Sequence, residues 1–157
     1  MPEKKQMMMD KDNPVMLMSE AVKIFHDHMK KECGMLGIPA GWRHILFQLT
    51  LQDGVSQSVL VAKTRFRPST VSVALKEMQQ HGYVSLREDS SDMRQTLVFQ
   101  TEKALELNVR LQNSFREGEE TVMKNLESED RRILCRLLVK MLKNMINEGW
   151  CDSIEGF

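Results

Sequence analysis

Between Lys63 and Arg94 the chain concentrates cations and small hydrogen-bonding groups. Lys63, Arg65, Arg67 and Lys76 are the charged residues from Val61 to Lys76, and no acid stands among them. Pro68 is followed by three short hydroxyls, Ser69, Thr70 and Ser72. Such hydroxyls at a helix N-terminus can approach a phosphodiester backbone closely, where the helix's own N–H groups also favour an anion. Further on, Arg87 precedes the polar run Asp89-Ser90-Ser91-Asp92-Met93-Arg94. A guanidinium fork in a flexible loop can enter a narrow groove or clamp its edge phosphates. Asp92 suits such a place only with a cation beside it to offset repulsion. The chemistry is phosphate and base-edge recognition rather than bond making.

Other chemistries find no support in the sequence. No Ser-His-Asp, phosphate-loop or metalloprotease spacing occurs, so no catalytic residues and no enzyme are expected. His26 and His28 are two apart and cannot share one helix face, so with His44 and Cys33 they make no metal site. No metal or cofactor is expected. Cys33, Cys135 and Cys151 are odd in number and widely spaced, which points to a reducing cytoplasm rather than a disulfide framework. No run approaches eighteen apolar residues and the first residues lack an apolar core, so neither a membrane span nor a secretory segment is expected. Lys and Arg total 22 against 22 Asp and Glu, so basic character is local. The balancing acids lie mostly elsewhere, notably Glu117, Glu119, Glu120, Glu127, Glu129 and Asp130.

The elements that must position these groups follow from periodicity. Residues 1–13 read as a polar, flexible arm. Pro14 opens a first helix with Val15, Met18, Val22, Phe25 and Met29 on one stripe, broken at Cys33-Gly34 and Gly37. Pro39 starts a second, largely buried helix through Trp42 to Leu51, stopped by Asp53-Gly54. Ser56 caps a third helix, with Leu60, Val61 and Thr64 inward. Pro68 takes the first position of a fourth, whose inner stripe is Val71, Leu75 and Met78. Ser69, Thr70, Ser72, Val73 and Lys76 are left outside, and Gly82 ends it. Tyr83 to Arg87 and Thr96 to Gln100 alternate as antiparallel strands: Val84 and Leu86 against Ser85 and Arg87, Leu97 and Phe99 against Thr96 and Val98. Helices return from Glu102 to Asn125 and from Ser128, as N-cap without a full capping box, to Asn147.

A helix, a turn, a second helix and a two-stranded ribbon form a winged helix-turn-helix, a shape that fits the major groove and an adjacent groove or phosphate. The fold class is mainly α with a small β-wing. The winged lobe spans 39–101, dimerisation helices span 14–38 and 102–148, and a tail spans 149–157. Apolar faces around Val15–Met29, Leu105–Phe115 and Ile133–Ile146 exceed what a small lobe covers, so a homodimer is expected. A cleft is expected where Met29 and Met35 meet Trp42, Phe47 and the start of the fifth helix. Its apolar lining suits a small amphipathic or aromatic effector. The alternative is a helical dimeric interaction protein without nucleic-acid binding.

The pieces Gly54-Val55-Ser56-Gln57, Pro68-Ser69-Thr70-Val71-Ser72, Leu75 to Met78, His81-Gly82-Tyr83-Val84, Asp89 to Arg94 and Thr101 resemble the multiple antibiotic resistance regulator (MarR) family of bacterial transcription factors. The resemblance implies a homodimer on a pseudo-palindromic double-stranded DNA operator. It also implies that many members are repressors relieved by a small ligand or by cysteine oxidation. Family contacts map onto the exposed face of the Pro68–His81 helix and onto the wing with Arg94, whose orienting aspartate matches Asp92. Four positions depart from the pattern. Arg65 stands where the turn usually carries glycine, Arg67 replaces the usual cap, Val73 replaces a common arginine, and Ala104 replaces a glycine after the second strand.

Overall fold

A computed structural model describes residues 12–151. Most of the arm expected over 1–13, and the tail beyond 151, lie outside the described residues. The elements run α1 (Pro14–Met35), α2 (Ala40–Leu51), β1 (Val55–Ser56), α3 (Gln57–Thr64), α4 (Pro68–Gln80), β2 (Val84–Glu88), β3 (Thr96–Gln100), α5 (Glu102–Val122) and α6 (Ser128–Asn147). The chain divides into two compact units, one ending at Gly118 and the other beginning at Glu119.

In the first unit, Asn13 accepts from the Val15 and Met16 amides to cap α1, and the helix runs on through Gly34 to Met35. The helix therefore passes the break expected at Cys33-Gly34, and the break expected at Gly37 is found there, in left-handed backbone. The expected stripe of α1 is buried only toward its C-terminal end. Met29 and Cys33 are enclosed, whereas Val15 and Val22 are exposed. Trp42, Ile45, Leu46 and Leu49 of α2 join Leu60, Val71, Leu75, Met78, Val84, Val98, Ala104, Leu107 and Leu111 in one core. Burying such a side chain contributes roughly 1.5–3 kcal/mol. The core therefore sets how α4 lies.

The sheet has three strands in the order β1-β3-β2, all antiparallel. β1 escapes a reading by alternation because two residues carry no period. It is found only through its partners, Val55 with Val98 and Ser56 with Leu97. On β3 the buried residue is Val98, and Leu97 and Phe99 are only half-buried. The pairing explains this phase. Val98 lies between Leu86 and Val55, on the face that packs against the helices. Phe99 takes the other face, under Arg87.

Gly54 makes this arrangement fit. It turns the chain from α2 into β1 at φ 70°, and its amide donates to the Val98 carbonyl at 3.0 Å. A Cβ there would stand 2.5 Å from the Phe99 ring.

In the second unit, α6 is capped one residue earlier than Ser128. Glu127 accepts from the N3 amide while the Asp130 carboxylate accepts from the Glu127 amide at 3.0 Å, completing a capping box. Arg131 closes the preceding turn by donating to the carbonyls of Leu126 (3.1 Å) and Met123 (2.9 Å). None of the residues of α6 is buried, and Leu134 and Leu137 are exposed.

Replacing Gly54 by alanine combines a left-handed backbone with a clash against an aromatic ring. It should lower stability by on the order of 2–4 kcal/mol. Urea unfolding monitored by circular dichroism measures this, and an unchanged midpoint would remove Gly54 from its role as the spacer under Phe99.

Candidate nucleic-acid interface

The surface begins where α3 ends. Thr64 donates its hydroxyl back to the Leu60 carbonyl at 2.6 Å and accepts from the Phe66 amide at 3.3 Å. Arg65 then adopts the left-handed conformation, φ 57° and ψ 22°, and its amide donates to the Val61 carbonyl at 2.9 Å. A glycine would sit there without steric strain. An arginine accepts the strain and adds a cation at the corner.

Arg67 is extended at the N-cap of α4 and makes no side-chain cap, as its type requires. Its carbonyl accepts from Thr70 (2.9 Å) and Val71 (3.2 Å). Pro68 lacks an N–H, so its place at the helix start orphans no donor. Because Val71, Leu75 and Met78 are buried, Ser69, Thr70, Ser72 and Lys76 are all exposed on the far side. The exposed first turn can receive an anion. Lys63 is half-buried, and Arg65 and Arg67 are exposed at the turn.

The ribbon of β2 and β3 carries the remaining groups. Arg87 is exposed with its guanidinium carbon 4.6 Å from the centre of the Phe99 ring, so the ring fixes where that cation sits. At the tip, Asp89 accepts from the Ser91 amide (2.8 Å) and hydroxyl (2.7 Å), and these bonds hold its carboxyl below the usual carboxylate range. Asp92 accepts from the Arg94 backbone amide at 3.0 Å and from the Gln95 side chain at 3.3 Å. The aspartate thus folds the backbone beneath Arg94 and does not pair with its guanidinium. Two carboxylates consumed in local bonds leave Arg94 exposed and outward as the cation of the tip.

The four residues expected to share an effector cleft do not do so. Trp42 is buried in the core, edge-on to Tyr83 (5.4 Å) and His81 (5.8 Å), and Met29 is buried. Met35 is 73% exposed. Phe47 alone lines a cleft of about 460 Å³, between α2 and α5, with Arg43, His44, Gln48, Thr50, Asn108, Leu111, Gln112 and Phe115. The signal for it was present in α5. Asn108 occupies the inward phase shared by Ala104, Leu107 and Leu111, where an amide is out of place unless it is bonded. It donates to the Thr50 hydroxyl at 3.0 Å and to the Gln100 side-chain carbonyl of β3.

Burial, then the Arg43 charge, lowers the His44 pKa, and Arg43 lies 3.3 Å from the imidazole Nε2. Burial raises the Cys33 thiol despite the opposing pull of Arg43, which disfavours thiolate chemistry there. No cluster able to hold a metal ion occurs among the described residues. Nor is any described helix long and apolar enough to cross a membrane.

Helix, strained turn, helix and charged ribbon on one core define a winged helix-turn-helix protein. A family model described as MarR family matches residues 36–95. The uncharacterized HTH-type transcriptional regulator YdgJ of Bacillus subtilis (strain 168) is 32% identical over 114 residues, which cover 71% of this chain and 68% of that one. The fold is shared with a MarR family transcriptional regulator from Listeria monocytogenes complexed with 26mer DNA (TM-score 0.76, 18% identity, 87% and 91% of the two chains). It is shared too with BpsR of Bordetella bronchiseptica, whose DNA binding is regulated by 6-hydroxynicotinic acid (TM-score 0.70, 18% identity, 83% and 93%). The chain belongs to the MarR family of transcriptional regulators.

Glycine at position 65 should relieve the left-handed strain, and its extra freedom when unfolded takes back part of the gain. Arg65→Gly should therefore raise stability by on the order of 0.5–1 kcal/mol. A thermal melt checks it. A lower midpoint would mean that the arginine side chain stabilises the turn by more than the strain costs.

Proposed function

We propose that the chain is a sequence-specific regulator that represses transcription as a homodimer on a pseudo-palindromic DNA operator in the cytoplasm. The observation that carries this reading is the division of α4. Three buried side chains lock one face, and a hydroxyl-rich face carrying Lys76 is left exposed, directly after the cations Arg65 and Arg67 of the turn. Ser69, Thr70 and Ser72 contact phosphates or base edges along the major groove. Lys63, Arg65, Arg67, Lys76 and Arg87 position phosphates, and Arg94 takes the adjacent minor groove, with Asp92 holding its backbone. The exposed apolar side chains of α6, together with Val15, Val22 and Val109, supply a twofold interface that sets two α4 helices about one DNA turn apart. The domain roles follow: 39–101 for DNA, with 14–38 and 102–148 for dimerisation. An interaction module without nucleic acid does not account for the cations Lys63, Arg65 and Arg67 leading into the hydroxyl-rich start of α4.

We also propose that the α2–α5 cleft admits a small amphipathic effector that relieves repression. Phe47, Leu111 and Phe115 receive its apolar body, and Arg43 and His44 receive an anionic end. Thr50 and Asn108 line the cleft, and Asn108 donates both to the Thr50 hydroxyl and to the Gln100 side chain at the base of the wing. An occupant that rearranges them changes how the wing is held. It relieves repression only if it binds the DNA-incompetent arrangement more tightly.

A mobility shift on the promoter of the chain's own gene should show saturable binding, with two chains per duplex, that weakens steeply with salt. Arg94→Ala should lower affinity by about 1–3 kcal/mol with little change in melting temperature. No preference over random duplex at low salt would overturn specific repression, and parental binding by Arg94→Ala would remove the wing contact. For the cleft, an anion seated between Arg43 and His44 raises the imidazole pKa above its lowered free value, so binding takes up a proton. Aromatic carboxylates should therefore bind more tightly as pH falls from 8 toward 6, by up to about tenfold per unit of pKa change. Calorimetry in buffers of different ionisation heat counts the proton, and pH-independent affinity would place the anion elsewhere.

A further inference from the structure

α4 presents one outward side chain that neither its fold nor its charge explains. Val73 is 58% exposed, and it is the one large hydrophobic exposed on that helix. At about 100° per residue, it lies roughly 160–200° round the helix from the buried Val71, near the pole farthest from the core. Ser69, Lys76 and Gln80 share that pole, at four residues before, three after and seven after it. All three are polar and exposed.

A valine contributes nothing to the core from there. Its β-branch makes it a poorer helix former than alanine. The same branch holds χ1 in one preferred rotamer, so the two methyl groups form a fixed apolar knob at the crest of the helix. With α4 in the major groove, the crest is the part that goes deepest. The C5-methyl of thymine is the apolar group that base edges offer there, and the other edge groups are hydrogen-bond donors and acceptors. An isopropyl group placed against those would strip them of water and return no bond.

We propose that Val73 is a specificity-determining residue that packs against a thymine methyl in each operator half-site. The proposal rests on the major-groove docking of α4 put forward above. The polar neighbours act differently from it. Ser69 and Lys76 anchor the helix on the backbone, and Val73 selects the base between them.

Selection of bound duplexes from a random pool with the whole chain yields an operator, and each of its thymines is then replaced singly by deoxyuridine. That change removes the methyl group and leaves the pairing edges intact. At one thymine in each half-site, the replacement should weaken parental binding about three- to fivefold, the transfer worth of a methyl-sized group. Val73→Ala should bind the thymine and uracil forms at that position equally, and should lose nothing in melting temperature because alanine is the better helix residue. This coupling isolates the contact. Equal losses for parent and variant at every thymine, or half-sites without thymine, would overturn the assignment while leaving DNA binding in place. A pool that yields no enriched duplex would overturn both.

Discussion

The inner stripe of α4 is the constraint on which the rest of the structure depends. Val71, Leu75 and Met78 can be buried together only if the helix lies in one rotation about its axis. That rotation fixes the direction of every other side chain on it. A turn of about 100° would place Ser72 in the core and Met78 in water, at a loss of several kcal/mol for the burial forgone. The aim of the hydroxyls, Lys76 and Val73 is therefore stabilised by hydrophobic burial on the opposite side. Close packing makes it specific as well as stable.

The wing is held by different means. Its base is fastened by polar contacts at each side. The Asp53 carboxylate accepts from the Gln100 amide at 2.8 Å, and the Thr101 hydroxyl donates to the carbonyls of Gly82 (2.7 Å) and Tyr83 (3.1 Å). Lys103 donates to the His81 carbonyl at 2.8 Å and lies over the Tyr83 ring at 4.3 Å. These bonds tie the sheet to the ends of α2, α4 and α5. Asn108 belongs to the same set and also reaches the cleft. A helix fastened by burial and a wing fastened by hydrogen bonds respond differently to an occupant. Polar contacts can be exchanged one for another, whereas a packed stripe resists rotation.

The turn between α3 and α4 combines two departures from the commonest solution. A left-handed arginine and an uncapped helix start each cost stability locally. Both place charge or open N–H groups at the exposed corner between the two helices. Local strain at a functional corner is sustained by the core beneath it, here Leu60 and Val71, both fully buried.

Local signals in the sequence determined much of this molecule. The stripe of α4, the cap at Ser56, the first helical position of Pro68, the left-handed Gly82 and the missing cap at Arg67 depend on a few neighbouring residues, and periodicity or residue type reveals them. The tertiary structure decided whatever depends on distant partners. β1 exists because Val98 and Leu97 pair with it, and the same pairing reverses the phase of β3. Met35 was left exposed, outside the cleft expected of it, because which helix lies opposite is not fixed by its neighbours in sequence. The cleft is assembled from α2 and α5, which are distant in sequence, with Asn108 as the one local sign of it. The N-cap of α6 lay one residue before Ser128, and the capping box absent from that reading is made by Glu127 with Asp130 returning the bond. Sequence periodicity states which face of an element is apolar. Only packing states what that face meets, because contact energies between distant segments are set by their arrangement in space.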